Sequence, residues 1–171
     1  MAPHVLVLAM ALWSAAASMT IARADGPIAL GAAPTRVWLT PVGGEKSAES
    51  LAARLELLGP DRPVFLVLNG PSAATQPRTA FAIYLDPDPS ATHGVRESES
   101  PRVGRLTFSA EVRDARTDAP PAFRSFDVTA RLQELRVSGR LTDALAVTIV
   151  PERKTAAEIK ATLANIELMA R

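Results

Sequence analysis

The sequence predicts a mainly β protein: an antiparallel β-sandwich of about six or seven strands with one or two short helices. Two observations carry that expectation. Fourteen prolines and nine glycines cut the 171 residues into short segments, the punctuation of a β-rich domain rather than of long helices. Between the breaks lie apolar or alternating runs of strand length, most of them closed by Pro, Gly, Asn or Asp. Several such runs at short spacing suggest packed sheets.

The first segment stands apart. Val5 to Ala17 is an apolar run of 13 residues interrupted only by Ser14, too short for the roughly 20 residues that span a bilayer. Ala22 and Ala24 place small residues at −3 and −1 ahead of Asp25, the pattern of a leader-peptidase site. The amino terminus and His4 are the only basic groups before the apolar run. Residues 1–24 therefore read as an export signal and 25–171 as one domain, periplasmic or secreted, with no membrane span once the leader is removed. An uncleaved anchor and a misplaced start codon are the alternatives. The mature chain of 147 residues (171 less 24) is long enough for one real core.

The elements follow in order. Arg36 to Leu39 is a short strand closed by Pro41 and the turn Val42-Gly43-Gly44. Ser50 caps a helix over Leu51 to Leu58, with Leu51, Leu55 and Leu58 on one face and Gly59-Pro60 ending it. Val64 to Leu68 (VFLVL) and Thr79 to Leu85 (TAFAIYL) are apolar runs that read as strands buried on both faces. Asp86 to Arg102 is polar and proline-punctuated, an exposed loop. Val103 to Val112 is a strand with Leu106 and Phe108 inward. Arg113 to Ala122, with Pro120-Pro121, is a second loop. Phe126 and Val128 end the next strand, Asp127 or Thr129 caps, and Ala130 to Val137 is a short helix stopped near Gly139. Ala144 to Val150 and Ala161 to Met169 are the last strands. No internal repeat is visible.

Composition excludes several function classes. Removing Arg23 with the leader leaves 18 basic against 18 acidic residues, with signs interspersed and no electrostatic footprint for nucleic acid or anionic lipid. There is no cysteine, so packing, not disulfides, must hold an exported fold. His93 is the only mature histidine. A redox or catalytic metal site needs several nitrogen or sulfur ligands, so no cofactor or metal is expected. No G-x-S-x-G elbow and no glycine-rich phosphate loop occurs. The carboxylate pairs Asp86/Asp88 and Glu97/Glu99 alternate with Pro or Ser in the first loop, a setting in which carboxyls do no acid–base work. Asp86 and Asp88 are two oxygens toward a calcium site, well short of a ligand set. Nothing in this inventory is an enzyme's.

The order of segments carries a resemblance. "PIALGAAPTRVWLTP" from Pro27, "RPVFLVLNG" from Arg62, "QPRTAFAIYLDPDP" from Gln76, "RVGRLTF" from Arg102, "SFDVTARLQEL" from Ser125 and "LAVTIVPE" from Leu145 together resemble the C-terminal domain of bacterial tyrosinases and plant polyphenol oxidases. The plant version carries a Lys-Phe-Asp-Val strand; here Ala80-Phe81-Ala82-Ile83 stands in its place. Asn69 stands where the family commonly has an acidic residue before glycine. The resemblance implies a β-sandwich that packs over the dicopper site of a catalytic domain, places a side chain in its entrance and keeps the enzyme latent. The copper-binding histidines belong to that other domain, so they have no positions here. The partner it implies is a tyrosinase-like dicopper protein, to be covered, inhibited or helped to fold. Candidate tips are the Arg113–Phe123 loop, with Phe123, Pro120 and Pro121, and the Asp86–Arg102 loop. A free-standing structural or ligand-binding sandwich of the envelope, and a fragment of a split tyrosinase gene, remain as alternatives.

Overall fold

Alternation in short apolar runs gives each strand one face for a core, and eight such strands here share a single sheet. The computed structural model describes residues 18–42, 50–59, 62–74, 77, 79–86, 101–108, 122–153 and 161–171. Among them are eleven strands and two helices. The strands are β1 (Met19–Ala24), β2 (Ile28–Leu30), β3 (Thr35–Pro41), β4 (Val64–Asn69), β5 (Ser72–Ala73), β6 (Phe81–Asp86), β7 (Arg102–Leu106), β8 (Phe123–Asp127), β9 (Leu145–Pro151), β10 (Ala161–Leu163) and β11 (Asn165–Ala170). The helices are α1 (Leu51–Leu58) and α2 (Thr129–Val137). The mainly β, antiparallel class with two short helices is as expected; the strands outnumber the six or seven runs.

The large sheet runs β7-β6-β9-β3-β1-β11-β4-β8 and a small one runs β2-β10-β5. Every pairing is antiparallel. The eight strands curl until the two edges meet, so the sheet is nearly closed on itself. The seam is tight because Gly104 on β7 has no side chain: a Cβ there would lie 2.3 Å from the Phe126 ring of β8. Inside lie Leu66, Leu68, Ile83, Leu85, Leu145, Val147, Leu168 and Phe81, the last packed edge-to-face on Phe108 at 5.8 Å. Each such side chain contributes about 1.5–3 kcal/mol by leaving water.

Met19–Ala24, read from sequence as the end of a leader, form β1 in the middle of this sheet, between β3 and β11. The register to β11 slips between Thr20 and Ala22. That bulge breaks the period of two, and Ile21 and Ala22 are both fully buried as a result. The expected boundary at Ala24/Asp25 falls directly after the strand.

The helices close one end. Ser50 caps α1 as expected, its Oγ accepting from Ala53 N–H at 3.0 Å, and Gly59 ends the helix with φ +77°. Leu51 and Leu55 are buried. At α2 the expected cap is different. Val128 occupies the N-cap position and makes no side-chain cap bond. Asp127 Oδ1 accepts from Thr129 N–H at 2.9 Å, and the Thr129 hydroxyl accepts from Val64 N–H at 2.8 Å. Thr129 thus ties the start of α2 to the start of β4 instead of capping. Leu132 and Leu135 are buried with the core, and Arg131, also buried, donates to the Leu85 carbonyl and to Glu134.

Two further positions depart from expectation. Asp86, assigned to the exposed loop, is the last residue of β6, opposite Ala146, and is buried. It is drawn in because β6 and β9 pair over six positions, and the sixth is Asp86. The expected strand Ala161 to Met169 is two strands, one in each sheet, divided at Ala164.

Candidate functional site

The outward face of β4, β8 and β11 is built by the same alternation that fills the core. On β4, Val64, Leu66 and Leu68 point inward, which leaves Phe65, Val67 and Asn69 outward. Register places Asn69 beside Phe123 and Asn165, Val67 beside Ser125 and Glu167, and Phe65 beside Asp127 and Met169. These rows line an open groove of about 410 Å³. Its floor and wall are apolar: Phe65, Val67, Met169 and Phe123. Its rim is polar, with Asn69, Ser125, Glu167, Arg171 and Ser18.

Phe123 is held in place by backbone. Gly70 N–H donates to the Ala122 carbonyl at 2.8 Å, and Ala164 N–H donates to the Asn69 carbonyl at 2.8 Å. The turn after β4 is thereby fastened on one side to the residue before Phe123 and on the other to the link between β10 and β11. Gly70 has φ +56°, and a Cβ on it would sit 2.8 Å from the Ala164 Cβ, so glycine is required twice over. Phe123 nonetheless remains 60% exposed.

The polar rim is ordered as well. Asn69 Nδ2 donates to Asn165 Oδ1 at 2.6 Å and to Glu167 Oε2 at 3.1 Å. The Arg171 guanidinium lies over the Phe65 ring, 5.6 Å from its centroid. The groove therefore combines an apolar floor with fixed polar edges.

Of the residues singled out from sequence, Phe123 opens β8 and walls this groove. Pro120, Pro121, Asp88, His93, Glu97 and Glu99 lie outside the described residues. Among the described residues no group of three or more His, Cys, Asp or Glu side chains could hold a metal ion. No helix among them is long and apolar enough to cross a membrane. Sequence reasoning missed Phe65, Val67 and Met169. Phe65 and Val67 lie in the apolar run of β4, expected to be buried on both faces, where Val67 is buried and Phe65 only half-buried; Met169 lies on β11.

Two carboxyls are shifted. Glu152 receives Nε and Nη2 of Arg105 at 2.9–3.0 Å and Nη1 of Arg102 at 3.0 Å. These guanidinium bonds, Arg105's foremost, hold it below the usual carboxylate range. The clamp joins the edge strand β7 to the end of β9. Asp127 is also lowered, by the bonds it accepts from Thr129.

Neither a protein-family model nor a curated protein matches the chain. Among solved structures the fold is similar to part of a latent aurone synthase (polyphenol oxidase) from natural source. The TM-score is 0.48 at 12% identity, over 81% of this chain and 24% of that one. A recombinantly expressed latent aurone synthase (polyphenol oxidase) gives 0.47 at 13% identity, over 86% of this chain and 26% of the other. The chain spans about a quarter of the length of these proteins.

Proposed function

We propose that this is a non-catalytic, exported β protein that acts as a cap on a separately encoded, tyrosinase-like dicopper oxidase. It covers the entrance to the copper site, holding the enzyme latent or assisting its folding. The observation that carries the reading is Phe123, 60% exposed on a backbone fixed by hydrogen bonds and standing over an apolar groove. The order of sequence segments that resembles the tyrosinase C-terminal domain supports it. A rigid aromatic tip set into a substrate funnel excludes phenols without taking part in metal chemistry, and the groove beside it offers apolar area for affinity. All copper chemistry belongs to the partner.

The test is to co-purify the chain with tyrosinase-like proteins of the same cell and to assay phenol oxidation with and without it. Association with a lowered, or proteolytically restored, oxidase activity supports the cap. No association and no change in activity removes it. A second reading, a free-standing ligand-binding protein of the envelope, is favoured by the groove volume of about 410 Å³, which lies in the range of small-molecule sites. Saturable binding of a small apolar ligand in the absence of any oxidase would select it.

A further inference from the structure

We infer that export processing cuts between Ala17 and Ser18, seven residues upstream of the site suggested by Ala22-Arg23-Ala24, and that Met19–Ala24 remain in the mature protein. The inference rests on the export half of the reading above and is independent of the cap.

β1 is an inner strand, and it is the hydrogen-bonded link between β3 and β11. Without it the large sheet divides into β7-β6-β9-β3 and β11-β4-β8. β1 pairs with β11 at five positions and with β3 at two, and Ile21 additionally accepts from Val42 N–H at 2.8 Å. A cut after Ala24 would leave the whole strand with the leader, and two sheet edges would face each other unpaired.

Ile21 is 1% exposed and Ala22 is fully buried. The small side chains at 22 and 24 thus have a structural cause: both are buried within the sheet. Arg23 between them is exposed and pairs with Asp25 at 3.0 Å. The small-x-small pattern that mimics a cleavage site is here the inward-facing pattern of a strand.

Ala15-Ala16-Ala17 is itself a small-x-small motif and forms the end of the apolar run Val5 to Ala17. Cleavage after Ala17 gives a 17-residue leader with the proportions of an export signal. Ser18, the new first residue, is exposed, stands immediately ahead of β1 and lines the groove. The scissile bond then lies outside the ladder, and the entire fold stays with the mature chain.

The experiment is to express the full chain from Met1 in a host with an export pathway and to determine the first residue of the exported and cytosolic fractions by mass spectrometry. An exported chain beginning Ser-Met-Thr-Ile is expected. An exported chain beginning Asp-Gly-Pro-Ile overturns the inference while leaving export intact. A chain found only in the cytosol with its leader attached overturns export itself, and the inference with it. The paired substitution Ala15→Leu, Ala17→Leu should leave the leader attached to the exported chain; processing that continues at Asp25 would contradict the assignment. Deleting 19–24 from the full chain should abolish cooperative unfolding, and an unchanged urea midpoint would overturn the role given to β1.

Discussion

Substituting Gly104→Ala probes the closure of the sheet directly. An added Cβ would meet three atoms of the Phe126 ring at 2.3, 2.6 and 2.8 Å. Ordinary carbon contacts begin near 3.4 Å, so the ring or strand β7 must retreat by about 1 Å. Neither moves freely: Phe126 is partly buried against the core, and β7 is clamped through Arg102 and Arg105 to Glu152. Overpacking of this kind costs about 1–3 kcal/mol, which lowers the urea midpoint while leaving the slope unchanged. Phe126→Leu alone should cost about 1 kcal/mol or somewhat more, because the side chain is only partly buried. The double variant should be more stable than the sum of the two losses predicts, by roughly 1 kcal/mol, since the shorter side chain gives the new methyl room. Additive losses would mean that β7 and β8 do not touch, and that the eight strands form an open sheet.

Other consequences are independent of the seam. Gly70→Ala should lower stability by about 1–3 kcal/mol in urea denaturation, combining left-handed backbone strain at φ +56° with a Cβ 2.8 Å from Ala164; a neutral result would remove the tight turn. Both Asp127 and Glu152 have folded-state pKa values below ordinary carboxyls. Their contribution is therefore complete above about pH 4–5, where unfolded carboxyls are ionised, and is lost as pH falls through the folded values. The urea midpoint should stay level from neutral pH to about 5 and then fall, with a shallower acid limb in Asp127→Asn and Glu152→Gln. Acid limbs parallel to that of the unaltered chain would contradict both assignments.

Much of the fold was legible because the runs are long enough to show a period and are well punctuated. VFLVL and TAFAIYL became β4 and β6, and Ser50 capped α1 where the spacing of Leu51, Leu55 and Leu58 required a helix. What stayed hidden had local causes. β1 is composed of small and mixed residues, carries a bulge that buries two consecutive side chains, and follows an apolar run that reads as a leader. β2 and β5 are three and two residues long, too short for any period to register. Asp86 looked like a loop residue because aspartate before proline is turn chemistry, yet strand pairing with β9 carried it inward. The groove was not legible: Phe123, expected at the end of a loop, opens strand β8, and a face shared by three strands distant in sequence depends on register, which pattern alone does not supply.

The proposed cap works by contact, with Phe123 as its tip. Titrating the protein into a tyrosinase-like dicopper oxidase of the same cell while following diphenol oxidation tests it most directly. Activity should fall to a stoichiometric plateau. Phe123→Ala should shift the half-inhibiting concentration upward by about tenfold or more while the urea midpoint changes by less than about 0.5 kcal/mol in free energy. Undiminished oxidation at saturating protein, or diphenol turnover by the chain alone, would contradict the account.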